Sequence, residues 1–241
     1  IMMSKICGHR GAARYKPENT ISGFEWCVQN GIEWAECDVQ LTIEEVLLVI
    51  HDDTLDRTSD ITGLVKEIRK KELETINVGK IDPKNYFFQK IPTMEELLRY
   101  CKNSKLKLNI EMKFYRPTKN SYRERLVSNL LQAIKKNNIK DQVLVTSFDL
   151  DSLLLLRKYS NQIPVGVLYE SLPKNWEQNV RDLNATTIHL DHKSVTGDQI
   201  KQMSKRDIQT FVYTCNHPPE IDDLWRFGLS GVITDDPLKF K

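Results

Sequence analysis

The feature that most constrains this chain is an alternation. From about residue 93 onward, short β-rich runs are separated by stretches whose apolar residues recur at helical spacing, such as Leu126, Leu130, Leu131 and Ile134, or Leu150, Leu153, Leu154 and Leu156. That pattern is the mark of βα units and a parallel sheet. Candidate strands are Ile6–His9, Trp34–Leu41, Val46–His51, Leu106–Met112, Val143–Ser147, Pro164–Tyr169, Thr187–Leu190, Gln209–Tyr213 and Gly231–Thr234. Only residues 42–45 separate the second run from the third, whereas a parallel crossover needs about a dozen residues or more, so that pair must be a hairpin. Eight strands then remain free to run parallel, each with a crossover helix, and a length of 241 residues suits an eight-stranded barrel of ~250 residues. The expected fold is α/β, a distorted TIM (β/α)8 barrel with a rim hairpin. Residues 53–92 contain Gly63, Gly79, Pro83 and the pair Phe87–Phe88, follow neither period, and are too long for a plain loop, which predicts a small inserted cap beside the site. No repeat, low-complexity stretch or linker divides the sequence, so residues 1–241 read as one domain.

Charge narrows the function classes. With 35 Lys plus Arg against 33 Asp plus Glu, the net charge of +2 describes a balanced surface, not a nucleic-acid or membrane footprint. The longest aliphatic run, Leu153–Leu156, is far shorter than the ~20 residues needed to span a bilayer, so no membrane insertion is expected. The five cysteines form no CxxC pair and lie mostly in apolar segments; they read as reduced, buried thiols and predict a cytoplasmic location. The chain starts with Ile, which leaves room for a removed leader. A core of this size needs no structural metal, so any metal serves chemistry.

Two strands carry the chemistry. In Leu106–Lys113 the apolar Leu106, Leu108, Ile110 and Met112 alternate with Lys107, Asn109, Glu111 and Lys113. Barrel strands face helices with their apolar set, so Glu111 and Lys113 point inward near the carboxyl end, where such barrels build their sites. Trp34–Val39 repeats the arrangement with Glu36 and Asp38 inside. Taken singly, each carboxylate reads more readily as half of an internal ion pair; three converging on one mouth call for a hard divalent cation, Mg²⁺ or Ca²⁺, to offset their repulsion. A hairpin turn centred between Ile43 and Glu44 places His51 opposite Glu36, and Gly8-His9-Arg10-Gly11 ends the first strand at the same rim. His9 and His51 are thus candidate general acid and base. Arg10 and Lys113 add positive charge suited to a phosphoryl group.

The ordered set Gly8-His9-Arg10-Gly11, Pro17-Glu18-Asn19-Thr20, Glu36-Cys37-Asp38-Val39, His51-Asp52, Leu55-Asp56-Arg57-Thr58, Ile91-Pro92-Thr93, Glu111-Met112-Lys113, Ser147-Phe148, Tyr213-Thr214-Cys215-Asn216 and Ile233-Thr234-Asp235 resembles the glycerophosphodiester phosphodiesterase family, nearest its bacterial cytosolic subgroup. The resemblance spans nearly the whole chain. It implies metal-dependent hydrolysis of glycerophosphodiesters, such as glycerophosphocholine or glycerophosphoethanolamine, to sn-glycerol 3-phosphate and an alcohol. Glu36, Asp38 and Glu111 match the metal ligands, His9 and His51 the acid–base pair, Arg10 and Lys113 the phosphate contacts. The family commonly has an Asp-Gly hairpin turn where this chain has Thr42-Ile43-Glu44-Glu45, so the local turn is expected to differ.

Other residues carry plainer readings. Asn19 or Thr20 caps the following helix, Asp52 either orients His51 or caps a loop, and Phe148 and Tyr213 either line the substrate pocket or pack the barrel. Competing functions are a phospholipase C- or D-like enzyme on acylated lipid, disfavoured without a basic or amphipathic membrane element, and a silent glycerophosphodiester-binding module, disfavoured by the retained histidines and carboxylates. A glycoside hydrolase has no use for two histidines, an arginine and a third carboxylate. Head group, choice of ion and oligomeric state are left open by the sequence.

Overall fold

In a computed structural model of the chain, residues 2–79 and 87–241 are described; Pro83 and its neighbours from 80 to 86 lie outside them. The nine expected strands form, as β1 (Ile6–Gly8), β2 (Trp34–Leu41), β3 (Leu47–Val49), β4 (Lys107–Met112), β5 (Val143–Ser147), β6 (Val165–Tyr169), β7 (Thr187–Asp191), β8 (Gln209–Tyr213) and β9 (Gly231–Thr234). All but β3 run parallel in the order β1-β9-β8-β7-β6-β5-β4-β2, and the parallel pairing of β1 with β2 closes the barrel. The fold is therefore a TIM barrel with β3 hung antiparallel on β2.

The helices are α1 (Ile21–Gln29), α2 (Met94–Ser104), α3 (Asn120–Asn137), α4 (Leu150–Tyr159), α5 (Trp176–Leu183) and α6 (Gly197–Ser204). Four begin where a side-chain oxygen accepts a free backbone N–H: Thr20, Thr93, Asp149 and Thr196. Thr20, not Asn19, is thus the cap of α1. The expected crossover helix between β8 and β9 is absent; that connection runs through 3-10 turns at Pro218–Glu220 and Asp222–Phe227. Pro218 and Pro219 open the first of these turns, where their missing N–H groups go unused. Leu154, expected on the apolar face of α4, is 45% exposed.

Alternation sorts each strand's residues into two environments. Ala35, Cys37 and Val39 of β2 and Leu108, Ile110 and Met112 of β4 pack outward against α1, α2 and α3 side chains such as Phe24, Leu97, Leu98 and Leu126. Cys7, Trp34, Leu144, Phe211 and Ile233 point into the barrel and, with Met3, fill its amino end. Residues of the 53–92 segment build a separate apolar cluster, in which Leu55, Val65, Ile68, Leu73, Ile76, Val78 and Ile91 pack on Leu48 and Ile50.

The hairpin register differs from expectation by one residue. Val39 pairs with Val49 and Leu41 with Leu47, so Glu36 does not face His51. The cause is a three-residue loop: Thr42 N–H donates to the Val46 carbonyl, and Glu45 takes φ 62°, the left-handed position that ends a type I turn in such loops. His51 reaches the mouth through the irregular chain beyond β3. There Gln40 Nε2 donates to the carbonyls of Ile50, His51 and Asp52 at 3.0, 3.0 and 2.7 Å.

Candidate active site

Glu36 and Asp38 are inward residues two apart on β2, and Glu111, level with Asp38 in the β2–β4 register, projects beside them. Carboxylate oxygens of all three lie within 4.8 Å of one another. Glu36 and Asp38 are only 3% and 1% exposed, so their charges face a low-dielectric setting. Burial, followed by the charges of Asp38 and Glu111, pushes Glu36 well above the ordinary carboxylate range. Burial and Asp38 likewise raise Glu111, despite Lys113. For Asp38 burial acts upward too, but Arg10, His51, Lys113 and a hydrogen bond from Asn19 outweigh it and hold the group below its usual value.

Internal cations satisfy the trio only in part. Lys113 Nζ lies 2.9 Å from Glu111 Oε1 and 3.9 Å from Asp38 Oδ1, and Arg10 Nε lies 3.5 Å from Asp38 Oδ2. The Arg10 backbone N–H donates to Glu36 Oε2 at 2.9 Å, and Asn19 Nδ2 to Asp38 Oδ2 at 2.9 Å. Glu36 Oε1 and Asp38 Oδ1 are left buried without a hydrogen-bond partner. Two orphaned anionic oxygens beside a third carboxylate fit an oxygen-ligated divalent cation, because leaving such atoms bare is costly. The cluster can hold a metal ion.

Both histidines are aimed by carboxylates. His9 Nδ1 sits 2.6 Å from Asp235 Oδ1, which directs Nε2 to within 3.9 Å of Glu36 Oε2. Asn216 Nδ2 in turn donates to Asp235 Oδ2 at 2.8 Å. His51 Nδ1 sits 2.7 Å from Asp52 Oδ1, and its Nε2 is 3.1 Å from Lys113 Nζ. Of the two readings of Asp52, the orienting one holds. Burial, with the charges of Arg10 and Lys113, lowers the His51 pKa against the opposing pull of Asp38 and Asp52, which favours the neutral ring.

A chain of ion pairs spans the mouth. Arg10 Nη1 donates to Glu18 at 2.9 Å; Arg57, from the 53–92 segment, donates to Glu18 at 2.7 and 2.8 Å and to Asp52 at 2.8 and 2.9 Å. Arg10 and Asn19 adopt φ 51° and 56°, the left-handed region, which Asn enters readily and Arg at some cost, and the loop after β1 brings both side chains onto Asp38. The Tyr115 hydroxyl closes the opposite side on the His51 carbonyl. Phe148 and Tyr213 meet edge to face, 5.9 Å between centroids, at the same end of the barrel, with Phe148 exposed and the Tyr213 hydroxyl donating to the Tyr169 carbonyl at 2.9 Å.

All of the sequence-derived candidates in the polar set therefore share one mouth. Sequence reasoning gave no role to Asp235, Asn216, Arg57 or Tyr115. Asp235 and Asn216 each follow a barrel strand at the carboxyl end, which is the signal that marks them; Arg57 and Tyr115 sit in irregular chain and have none. A cleft of about 610 Å³ lined by His9, Arg10, Glu18, Asn216 and Asp235 opens beside the trio. A larger groove of about 1120 Å³ lies away from it, among side chains of α2, α3 and the hairpin, and contains none of these groups.

Comparison with known proteins agrees with this geometry. A glycerophosphodiester phosphodiesterase of Bacillus altitudinis is 31% identical over 98% of this chain and 96% of its own length. A glycerophosphodiester phosphodiesterase of Caldanaerobacter subterraneus subsp. tengcongensis is 29% identical over 98% and 96%. The structure of a phosphodiesterase from Oleispira antarctica, in complex with the product sn-glycerol-3-phosphate, superposes with TM-score 0.92 at 25% identity, covering 98% of this chain and 95% of that one. Residues 9–239 match the glycerophosphoryl diester phosphodiesterase family as a whole. The chain belongs to that family and is an enzyme of the phosphodiesterase class.

Proposed function

We propose that this protein hydrolyses glycerophosphodiesters, with glycerophosphocholine and glycerophosphoethanolamine as candidate substrates, to sn-glycerol 3-phosphate and an alcohol. The observation that carries the reading is the buried trio Glu36, Asp38 and Glu111, with two unpartnered oxygens, flanked by two histidines whose Nδ1 atoms are each tied to a carboxylate. The Oleispira relative, which holds sn-glycerol-3-phosphate, supports the same substrate half.

Glu36, Asp38 and Glu111 would hold one Mg²⁺ or Ca²⁺. Bound there, the ion supplies charge neutralisation for the carboxylates and for a phosphoryl oxygen. Arg10 and Lys113 present the remaining positive charge to the phosphate, the first through a guanidinium fixed by Glu18, the second through an ammonium fixed by Glu111. His9 and His51 divide the proton transfers: one ring nitrogen accepts the proton of the attacking hydroxyl, and the other donates to the leaving alcohol oxygen. Asp235 and Asp52 hold each ring so that Nε2 faces the substrate. Phe148 and Tyr213 offer an apolar wall for the glycerol or head-group carbons.

The test is release of sn-glycerol 3-phosphate from both candidate substrates, with EDTA, Mg²⁺ and Ca²⁺ arms. Metal-dependent release that falls by about 10²–10⁴-fold in His9→Ala is the expected result. Folded, metal-loaded protein that releases none from any glycerophosphodiester would overturn the proposal.

A further inference from the structure

A second group of ligating side chains sits on the carboxyl-end rim, outside the carboxylate trio. His192 immediately follows β7, Cys215 lies two residues past β8, and Glu220 ends the 3-10 turn at Pro218–Glu220. One ligand atom from each lies within 4.8 Å of the others. Each backbone is fixed in its own place: His192 N–H donates to the Tyr213 carbonyl at 3.0 Å, Cys215 N–H to that of Ile233 at 3.4 Å, and Glu220 N–H to that of His217 at 3.0 Å.

The ring of His192 is already set for coordination. Its Nδ1 lies 3.2 Å from the Tyr213 carbonyl and 3.6 Å from Asp191 Oδ1, and its Nε2 lies 2.8 Å from Glu220 Oε2. An imidazole whose Nδ1–H is held by a carbonyl turns the Nε2 lone pair outward, the arrangement usual for metal-bound histidine. Cys215 is buried with its thiol donating to the His217 carbonyl at 3.3 Å, while the half-exposed Glu220 leaves a way in from solvent.

We propose that His192, Cys215 and Glu220 form a site for a thiophilic divalent cation of the Zn²⁺ class, distinct from the hard-cation site of the carboxylates. On binding, the cation displaces two protons to solvent, the one shared by His192 Nε2 and Glu220 Oε2 and that of the Cys215 thiol. Thiolate and carboxylate then carry two negative charges, which balance the ion, and a fourth position stays open to water on the Glu220 side. Sulfur and imidazole favour Zn²⁺ over Mg²⁺ or Ca²⁺, whereas an all-carboxylate set favours the hard ions, so the rim and the mouth sort metals by ligand softness.

The experiment uses the full chain, stripped of metal and held in excess Mg²⁺ to fill the carboxylate site, then titrated with Co²⁺. The expected result is a thiolate-to-cobalt charge-transfer absorption that saturates at one ion per chain and is bleached by Zn²⁺. Cys215→Ser should abolish the band, and His192→Gln should weaken Zn²⁺ binding by about tenfold or more. Because Cys215 is buried, folding of its variant is checked by circular dichroism, and His192→Gln carries the test alone if that variant does not fold. Absence of the band at saturating Co²⁺, or Zn²⁺ affinity unchanged in His192→Gln, would overturn the site. Release of glycerol 3-phosphate does not enter the readout, so the outcome is independent of the activity proposed above.

Discussion

Individual atoms around His9 allow the sharpest predictions. Asp235 touches the ring only through Nδ1, at 2.6 Å, so in the proposed mechanism it would act as a positioning residue. Asp235→Asn keeps the shape but removes the charge that steadies a protonated ring; we expect kcat to fall about 10–100-fold with KM nearly unchanged and the pH profile displaced. Asn216→Asp would crowd a second carboxylate against Asp235 and disturb the same profile. An unchanged profile in both variants would leave Asp235 a merely structural group. Glu36→Gln should remove metal-dependent activity while leaving the melting temperature of EDTA-treated protein no lower than wild type, since the neutral amide escapes the desolvation cost of burial and the repulsion of Asp38 and Glu111. A clear loss of stability there would mean that the Glu36 charge supports the fold rather than a ligand.

Hairpin and mouth network show what elements add to residues. Glu45 sits at φ 62°, and its carboxylate is held by Arg125 and Asn129 at 2.7 and 2.8 Å. A left-handed residue other than Gly costs about 1–2 kcal/mol, and an exposed ion pair returns only ~0–1, so Glu45→Gly should stabilise by up to about 1 kcal/mol in urea denaturation. Arg57 bridges two acidic groups that titrate low. Its hydrogen bonds lead in holding Asp52 down, and at Glu18 they outweigh burial with help from Arg10. A carboxyl depressed in the folded state stabilises above its unfolded pKa and loses that contribution as pH falls through the folded value. Arg57→Gln should therefore cost about 1 kcal/mol at pH 7, with the gap from wild type closing only below the ordinary carboxylate range, as followed by melting against pH.

The same elements show what could be read ahead of the structure. Strand alternation located Glu36, Asp38, Glu111 and Lys113 correctly because a period of two leaves no choice of face. Register across the hairpin failed because it depends on one backbone angle at Glu45 that no residue type there announces. Asp235 went without a role because its partner, His9, is more than 200 residues away in sequence and becomes its neighbour only when β9 closes on β1, and Asn216 because it acts only on Asp235. Arg57 lies in chain with neither periodicity, where pairing is decided by tertiary contacts alone.

At the scale of the whole molecule, the outer layer is uneven. Six connections between β1 and β8 each carry an α-helix of eight or more residues, α1 to α6 in turn, whereas β8 to β9 is spanned by 3-10 turns in which Asp222–Phe227 has no buried residue. Hydrogen exchange should accordingly be faster across residues 218–228 than in α3, whose Leu126, Val127, Leu130 and Ile134 are buried. Inside the barrel, Gly166 leaves space that a Cβ would fill at 2.1 Å from Thr187 Oγ1 and 3.0 Å from Thr146 Cγ2, so Gly166→Ala should destabilise by about 1–3 kcal/mol in thermal or urea melts. The amino end is stoppered by Met3, Cys7, Trp34, Leu144, Phe211 and Ile233, all 5% exposed or less. A barrel corked at one end has a single doorway, so under the proposed reaction substrate and both fragments would share it. On the proposed function, a phosphate-bearing fragment held over Arg10 and Lys113 would bar the next arrival, so turnover is expected to slow as product accumulates, as initial rates with added sn-glycerol 3-phosphate would show.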